Sequence, residues 1–271
     1  MVLAPLPTTI SPSRIATFTD CPRMFQYQAI ERLEQPPTVW TLKGTLVHAA
    51  LESLFWRDPA ERTLEAALAA LDEATTLDEI VEGYDVLGLD DGARAEFSAD
   101  AATLVRNYFD LEDPRGVDAV GVELRVATSL AGASDGAPLE LRGIIDRLDR
   151  EDDGRLVVVD YKTGRAPGPG FERAKMAGVE TYALLCERVL GVRPTTVRLL
   201  YLREPVIVER AIGSPEVSRQ ERRTVAVWNA ITKAHAKGGF QPSPGPLCRF
   251  CAYSDRCEAA QLPAVAAASA P

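Results

Sequence analysis

The hydrophobic period of the chain changes from helical to strand-like near residue 116, and this change constrains the fold most strongly. Between Lys43 and Trp56, apolar residues recur at three- and four-residue spacing: Leu46, Val47, Ala50, Leu51, Leu54 and Phe55. This spacing predicts an amphipathic helix. Further helices are predicted over 63–74 and 93–109, with a Gly/Asp-rich loop between them. Near the start, Ser11 and Pro22 suit the first turns of two short helical pieces within 11–34.

Strand patterns dominate the second half of the chain. Strands are predicted over 120–129, 139–148, 156–161, 196–202 and 206–211. A helix ending near Gly191 separates the third strand from the fourth, and a helix over 216–236 follows the fifth. Helices, a strand hairpin, a crossover helix and more strands predict an α/β core with an all-helical portion in front of it.

Composition and charge set limits on partners and location. The chain carries 30 Lys and Arg against 39 Asp and Glu, for a net charge of -9. Non-specific DNA affinity depends on Lys and Arg, so the acidic total weighs against tight sequence-independent binding without excluding a local basic groove. No apolar run reaches the roughly 18 residues of a membrane span, and residues 1–9 lack a secretory signal. We therefore expect a cytoplasmic protein with no membrane partner.

A pair of carboxylates and a lysine mark two neighbouring strands. Asp160 and Lys162 are two residues apart, so their side chains leave the same face of the predicted strand. Asp146 lies on the preceding strand, and pairing of the two strands brings it near Asp160. Facing carboxylates repel each other unless a cation lies between them, and Mg²⁺ or Mn²⁺ prefers such oxygen ligands. The alternative is an ordinary ion pair of Asp146 with Arg147 or Lys162, and an isolated Asp-x-Lys favours that alternative.

The five cysteines separate into a group and two single residues. Cys248, Cys251 and Cys257 form a C-x2-C-x5-C group, Cys21 lies near the other end, and Cys186 stands alone in a predicted helix. Three close thiolates require a fourth ligand. Zinc and iron–sulfur clusters both accept four cysteines, so the spacing leaves both possibilities open.

These motifs together resemble the RecB-like branch of the PD-(D/E)XK nucleases. The branch has a G-x-x-D strand, matched by Gly143 and Asp146, and a D-Y-K-T-G strand, matched by residues 160–164. Its early G-x-x-x-H-x-x-x-E helix is matched by Gly44, His48 and Glu52. In its Q-x-x-x-Y helix, the tyrosine is Tyr182, but the glutamine position holds Gly178. Either Glu180 takes over part of the role of the glutamine, or the contact is absent.

The resemblance implies a fold, an activity and a set of metal ligands. The implied fold is a restriction-endonuclease-like α/β core, with a central mixed sheet flanked by helices, an N-terminal helical portion and an iron–sulfur clasp. The implied ligands of Mg²⁺ or Mn²⁺ are His48, Asp146, Asp160 and the backbone carbonyl of Tyr161. Lys162 would be the catalytic cation, acting with Asp146 and Asp160. The implied divisions are 1–115 (helical), 116–240 (nuclease core), 241–260 (cysteine segment) and 261–271 (disordered tail).

The cysteine pattern resembles that of AddB-type nucleases and CRISPR-associated RecB-like exonucleases. In those proteins, one early cysteine and a late group of three hold a [4Fe–4S] cluster, which here implies Cys21, Cys248, Cys251 and Cys257 as ligands. Cys186 falls outside the pattern and is predicted to be a small buried residue.

The expected activity is that of a metal-dependent exonuclease on single-stranded DNA ends in repair or recombination, with a helicase or other repair protein as a separate partner. Expected DNA contacts are Arg14, Arg23, Arg147, Lys175 and Tyr182. Among aromatic residues, Phe25, Tyr27 and Trp56 are candidates for base stacking, although Trp56 is expected in the core. The alternatives are a catalytically inactive DNA-binding subunit and a zinc-containing enzyme acting on another phosphodiester.

Overall fold

The computed structural model describes residues 3–133, 136, 138–168 and 172–261, and the chain divides into two compact units. Unit 1 comprises Met1–Pro36, Ser129–Leu141 and Arg222–Pro271, and unit 2 comprises Pro37–Thr128 and Arg142–Glu221. This division differs from the expected one, because residues 1–36 and 37–115 fall in different units. Apart from Gln261, the expected tail (residues 261–271) lies outside the described residues.

The secondary structure follows the predicted order closely. The helices are α1 (Pro12–Asp20), α2 (Pro22–Phe25), α3 (Val39–Phe55), α4 (Leu64–Ala74), α5 (Asp78–Val86), α6 (Asp91–Leu111), α7 (Glu172–Leu190), α8 (Ser214–Ala236) and α9 (Glu258–Gln261). The strands are β1 (Thr9–Ile10), β2 (Ala119–Leu130), β3 (Leu139–Arg150), β4 (Leu156–Lys162), β5 (Thr196–Tyr201) and β6 (Val206–Ala211). A π-helical turn, Gln26–Ile30, continues α2, and short 3₁₀ turns lie at Pro59–Glu61, Pro114–Gly116, Pro246–Phe250 and Ser254–Arg256.

Side-chain caps fix where several helices begin. The Ser11 hydroxyl accepts a hydrogen bond from the Arg14 backbone N–H, 3.3 Å away, at the start of α1. The hydroxyl of Thr38 accepts from the backbone N–H of Thr41 at the start of α3, at 3.1 Å. Asp90 caps α6 in the same way through Ala93, at 2.8 Å. Such caps satisfy backbone donors that the first helical turn leaves unpaired.

Helix α5 occupies a stretch that the sequence predicted to be a loop. Its Gly83 packs so closely against the Leu42 side chain of α3 that a methyl group at Gly83 would clash with it. This glycine therefore serves close helix packing rather than a turn.

The paired strands of unit 2 form a mixed sheet around β4. Strand β4 runs antiparallel to β3 and parallel to β5, and β5 runs antiparallel to β6. Strand β2 pairs with β3. The register places Arg147 opposite Val159 and Lys162 opposite Tyr201. The parallel β4–β5 pair requires a crossover, and α7 provides it.

The main core of unit 2 lies between α3–α6 and one face of β4 and β5. Leu46, Leu51 and Leu54 of α3 are fully buried there, together with Val159 of β4 and Leu200 of β5. Residues of a strand alternate between its two faces. Asp160 therefore faces away from the side on which Val159 packs.

Unit 1 brings the early helices to the last part of the described chain. The rings of Phe18, Phe25 and Phe240 pack together, with centroids 5.6–6.2 Å apart. The Tyr27 and Tyr253 rings are 5.2 Å apart, and each hydroxyl donates to a backbone carbonyl of the other segment, at Arg256 and Leu33. Strand β1 pairs in parallel with β3 at Glu140 and Leu141.

Candidate active site

The two aspartates predicted from the sequence meet where β3 and β4 end their pairing. Continuing the register of this pair by one residue from Arg147 and Val159 places Asp146 opposite Asp160. The Oδ2 atom of Asp146 accepts a hydrogen bond from the backbone N–H of Tyr161, at 2.8 Å. The Asp146 side chain thereby fixes the local backbone of β4 as well as carrying charge.

Burial and the neighbouring Asp160 perturb the ionisation of Asp146. Burial, and then the charge of Asp160, raise the pKa of Asp146 to about 6, while His48 and the Tyr161 N–H lower it. Desolvation and a like charge both disfavour an ionised carboxyl. The ionised form of Asp146 is therefore unfavourable in this site, and a bound cation would stabilise it.

His48 is placed against both strands by α3. Its Nε2 atom is 3.1 Å from the carbonyl oxygen of Tyr161, and its Nδ1 atom is 3.5 Å from Oδ2 of Asp146. Leu46, Val47, Ala50 and Leu51 on either side of it are buried, which fixes the helix and leaves the imidazole half-buried at the sheet edge. The imidazole, a carboxylate and a backbone carbonyl therefore converge on one small region.

Lys162 pairs with Asp160. Its Nζ atom is 2.5 Å from Oδ2 of Asp160, and that oxygen is buried without a hydrogen bond of good geometry among the described residues. Burial alone would lower the pKa of the Lys162 ammonium, but Asp160 and then Asp146 outweigh it, so the pKa is raised. The lysine is therefore cationic at neutral pH and lies directly beside the paired carboxylates.

Glu123 on β2 is a third carboxylate that the sequence reasoning missed. Ligand atoms of His48, Glu123 and Asp146 all lie within 4.8 Å of one another. Glu123 has a φ of 45°, a left-handed conformation that is uncommon for a residue other than glycine. Burial and then Glu52 raise its pKa, and His48 lowers it. A polar residue between Val122 and Leu124 was the only sequence signal.

An acidic cavity of about 400 Å³ opens beside these groups. It is lined by carboxylates of α3, α5, β2 and β3 around His48, namely Glu52, Glu79, Glu123 and Asp146, with Gly44, Thr45, Ala49 and Ile144. None of its lining residues is Lys or Arg, so the surroundings favour a cation over a bare phosphate.

The absence of a side chain at Gly143 makes room for the ring of Tyr182. A methyl group at Gly143 would lie 2.6 Å from Cε1 of Tyr182, so only glycine lets the α7 ring lie against β3. Burial, and then the charges of Asp160 and Asp146, raise the pKa of the Tyr182 hydroxyl. Glu180, by contrast, is buried and pairs with Arg210 at 2.6 Å and with Arg219 at 3.7 Å. The structure therefore does not support Glu180 as a substitute for the absent glutamine.

Arg147 was predicted to contact DNA, and the structure contradicts this prediction. Its side chain is fully buried. The guanidinium makes two 2.8 Å contacts with Asp149, contacts Glu112 at 2.5 Å, and donates to the hydroxyl of Tyr161 at 2.8 Å. It lies over the Phe55 ring, 4.3 Å from its centroid. Arg147 holds β3, β4 and α6 together and has no surface left for DNA.

The other predicted DNA contacts have mixed outcomes. Arg14 and Arg23 are half-buried in unit 1, where Arg14 donates to the Thr9 carbonyl and Arg23 lines a cavity of about 430 Å³ with Arg256. The side chain of Lys175 lies outside the described residues. The candidate stacking residues Phe25 and Tyr27 are buried. The expectation that Trp56 lies in the core was wrong, because it is 68% exposed just beyond α3.

All four predicted cluster cysteines lie in unit 1, and all are half-buried. The Sγ of Cys21 accepts from the Ser243 N–H at 3.5 Å, and that of Cys248 accepts from the Gly245 N–H at 3.4 Å. Burial, and then the charge of Cys257, raise the pKa of Tyr27. Cys186 is fully buried in α7, and burial raises its pKa to about 12, so the prediction of a buried structural residue is confirmed.

The donor set at the carboxylates fits a divalent metal ion. An imidazole, an aspartate, a glutamate and a backbone carbonyl offer the nitrogen and oxygen ligands that Mg²⁺ and Mn²⁺ accept. Among the described residues, His48, Glu123 and Asp146 form the single group of three whose ligand atoms lie within 4.8 Å. No three thiols in the described part of the chain come that close. No helix within the described ranges is long and apolar enough to cross a membrane.

A mixed sheet that presents paired carboxylates and a lysine at adjoining strand ends defines a nuclease of the restriction-endonuclease-like class. A sequence model of the PD-(D/E)XK nuclease superfamily matches residues 9–258, so the chain belongs to that superfamily. Its members use divalent metal ions in hydrolysis, in agreement with the donor set found here.

Two kinds of relative were found. Gene 69 protein of Mycobacterium phage D29 is 26% identical over 273 residues, covering 91% of this chain and 95% of that protein. A proposed exonuclease from Eubacterium rectale shares 13% identity at a TM-score of 0.49, covering 90% and 87% of the two chains. The structure of SSO0001 shares 16% identity at a TM-score of 0.37, covering 80% and 84%.

Proposed function

We propose that this protein is a metal-dependent DNA exonuclease that hydrolyses phosphodiester bonds at single-stranded DNA ends in repair or recombination. The observation that carries the proposal is the position of His48 against Asp146 and the Tyr161 carbonyl, with Asp160 opposite Asp146 in the sheet and paired with the Lys162 ammonium. These groups come from one helix and two paired strands, and each strand contributes its charge where the pairing ends. The superfamily membership independently supports nuclease chemistry.

In this proposal, His48, Asp146, Asp160 and the Tyr161 carbonyl hold Mg²⁺ or Mn²⁺. A bound divalent ion lowers the pKa of water and polarises a phosphoryl oxygen. The Tyr161 carbonyl is fixed from both sides, since its own N–H donates to Asp146 and its side-chain hydroxyl accepts from Arg147. The chain thus presents its ligands already oriented, which lowers the cost of assembling the site.

Lys162 has the role of the catalytic cation. In the described structure its ammonium is neutralised by Asp160. When Asp160 binds a cation, that pairing weakens, and the ammonium is available to a phosphate oxygen of the scissile group. A preorganised positive charge at a developing oxyanion stabilises the transition state. In this proposal Tyr182, whose pKa both aspartates help to raise, contacts the same phosphate.

The test compares the wild-type protein with Lys162→Ala on end-labelled single- and double-stranded DNA, each with Mn²⁺, Mg²⁺ or EDTA. We expect metal-dependent cleavage by the wild type that starts from the ends of single strands, and a loss of at least a hundredfold in the variant. Metal affinity, measured by titration calorimetry, should be retained by Lys162→Ala because the lysine is not a ligand. An internal cleavage pattern would refute exonuclease action.

A wild-type protein that binds DNA but cuts it with neither metal would favour the alternative of an inactive DNA-binding subunit. Lys175→Ala and Arg23→Ala test the remaining predicted DNA contacts in the same assay. A separate helicase or other repair protein as a partner is also part of the proposal. Co-purification of this protein with repair proteins from its own source cells tests it.

We further propose that Cys21, Cys248, Cys251 and Cys257 hold a [4Fe–4S] cluster that ties residues 1–36 to the last described segment. Zinc–sulfur bonds of about 2.3 Å would bring tetrahedral thiolates to roughly 3.8 Å from one another, but no three of these described thiols lie within 4.8 Å. The thiols as they stand do not form a zinc site, and the choice of a cluster rests on the cysteine pattern of one early residue and a late group of three. Residues of both chain segments already contact each other around these cysteines.

Anaerobic purification tests this proposal through iron, sulfide and zinc content and visible absorbance. Cys21→Ala should lose the metal and, with it, stability and DNA affinity. Cys186→Ala is the matched control, because that cysteine is fully buried away from the pattern, and it should retain the metal. Stoichiometric zinc in the wild type would favour the zinc-containing enzyme.

A further inference from the structure

An exposed tryptophan and an arginine form a stacked pair in unit 2. Trp40 is the second residue of α3, and its side chain is 59% exposed. The guanidinium carbon of Arg203 lies 5.0 Å from the centroid of its ring. Arg203 is exposed, and within the described part of the chain it forms no ion pair with a carboxylate. A large apolar ring and an uncompensated positive charge are therefore presented together.

Both members of the pair adjoin the end of β4 that carries Lys162. Trp40 lies about one helical turn, roughly 6 Å along α3, from Gly44. A Cβ atom added at Gly44 would lie 3.5 Å from the hydroxyl oxygen of Thr163, so this part of α3 packs beside the residue that follows Lys162. Arg203 follows Leu202, whose backbone N–H donates to the carbonyl of Lys162 at 2.9 Å. The segments holding Trp40 and Arg203 each contact the residues at or next to the proposed catalytic lysine.

Neighbouring side chains of α3 and α6 hold the Trp40–Arg203 pair in place. The Lys43 ammonium lies 5.3 Å from the Trp40 ring centroid and 5.4 Å from that of Phe97, and it pairs with Asp100. The amide of Asn107 donates to the carbonyl of Leu202 at 2.8 Å, which fixes the turn before Arg203. The exposed indole is thus fixed in position although most of its surface faces solvent.

We propose that Trp40 and Arg203 form a nucleotide subsite next to the cleavage site, in which a base of single-stranded DNA stacks on the indole and the adjoining phosphate contacts the guanidinium. This inference rests on the proposed nuclease function and names its substrate class more closely. Aromatic rings combined with cationic side chains are the usual means of binding single strands without sequence preference. A base within a duplex is already stacked on its neighbours and cannot use the indole.

Trp56 provides a matched control on the same helix. It follows α3 directly, is 68% exposed, and its Nε1–H donates to Glu52 Oε1 at 3.4 Å. A carboxylate there repels a phosphate, whereas Arg203 attracts one. Trp40 and Trp56 are therefore equally accessible aromatic rings that differ in the charge beside them.

The experiment measures binding of a fluorescein-labelled oligo(dT) and of a duplex in EDTA, where no cleavage occurs, and cleavage with Mn²⁺ in parallel. Wild type, Trp40→Ala, Trp40→Phe, Arg203→Ala and Trp56→Ala are compared after checking their thermal unfolding. Trp40→Ala should weaken single-strand binding roughly 5- to 150-fold, and Trp40→Phe should retain most of the affinity. Arg203→Ala should reduce the slope of log K against log salt by about 0.7. The single-strand affinity of Trp56→Ala and the duplex affinity of Trp40→Ala should stay unchanged.

The outcomes separate the subsite from the nuclease proposal. Unchanged single-strand affinity in folded Trp40→Ala, with wild-type cleavage intact, overturns the subsite and leaves the nuclease standing. An equal loss in Trp56→Ala and Trp40→Ala overturns it too, because general surface apolarity then explains binding. A wild type that neither binds nor cuts single strands overturns both proposals.

Discussion

Asp146→Asn should stabilise the metal-free protein while abolishing its metal binding. Asp146 is largely buried, and burial together with Asp160 raises its pKa from 3.8 to about 6. Between those two pH values the folded protein binds more protons at this group than the unfolded chain does, so stability falls as pH rises through that window. Above it the full cost is present.

The magnitude follows from the two pKa values. They differ by about 2 pH units, and each unit is worth about 1.4 kcal/mol, so the ionised carboxyl costs up to about 3 kcal/mol at pH 8. An asparagine is neutral at every pH, and its side-chain oxygen still accepts the hydrogen bond from the Tyr161 N–H. The variant therefore removes the charge and keeps the contact.

The assay is urea unfolding of wild type and Asp146→Asn in EDTA at pH 4 and pH 8. We expect the variant to exceed the wild type by up to about 3 kcal/mol at pH 8 and by little at pH 4. Asp153→Asn is the control, because hydrogen bonds from the Arg155 backbone and side chain lower the Asp153 pKa, so its neutralisation brings no gain. Mn²⁺ should raise the melting temperature of the wild type alone, since only a folded, complete site binds it.

Two results would refute this reasoning. One is a variant no more stable than the wild type at pH 8 in EDTA. The other is an equal gain at pH 4 and pH 8, which would mean that the substitution acts through packing rather than charge.

Two further predictions concern packing. Gly143→Ala should destabilise the protein by about 1–3 kcal/mol, because its methyl group would meet the Tyr182 ring; urea unfolding measures the loss, and a second change of Tyr182→Ala should recover part of it, whereas an additive double variant would contradict the clash. Arg147→Met should cost about 3–5 kcal/mol by leaving the buried Asp149 and the half-buried Glu112 without their cation; the loss should shrink at low pH as these carboxyls protonate, and a stable variant with weakened DNA affinity would instead restore the DNA-contact role.

The sequence was sufficient for most of the fold because its apolar periods are long and uninterrupted. Helix α3 and strand β4 could be predicted within a few residues, since each buries one continuous set of apolar side chains. Helix α5 was missed because Gly83 was taken as a loop signal, whereas it packs against Leu42. A glycine looks the same in sequence whether it serves a turn or a close contact.

The site could be predicted in part. The proximity of Asp146 and Asp160 follows from pairing of adjacent strands, and the structure brings them together. Glu123 could not be predicted, because its contribution depends on a left-handed backbone conformation at that residue. Arg147 was misassigned although the sequence held the answer: alternation along a strand points it to the face opposite Asp146, towards the core.

The division of the chain has a consequence for its synthesis. Unit 1 needs residues from both 1–36 and 222–271, whereas unit 2 ends at Glu221. At 5–20 residues per second, the ribosome adds residues 222–257 about 2–7 seconds after unit 2 is fully translated. During that interval every residue of the proposed hydrolytic centre exists, while the early thiol of Cys21 waits for its three late counterparts. Insertion of the proposed cluster would then be a late event of maturation, and cells short of iron should accumulate chains in which unit 2 is folded and unit 1 is sensitive to proteases.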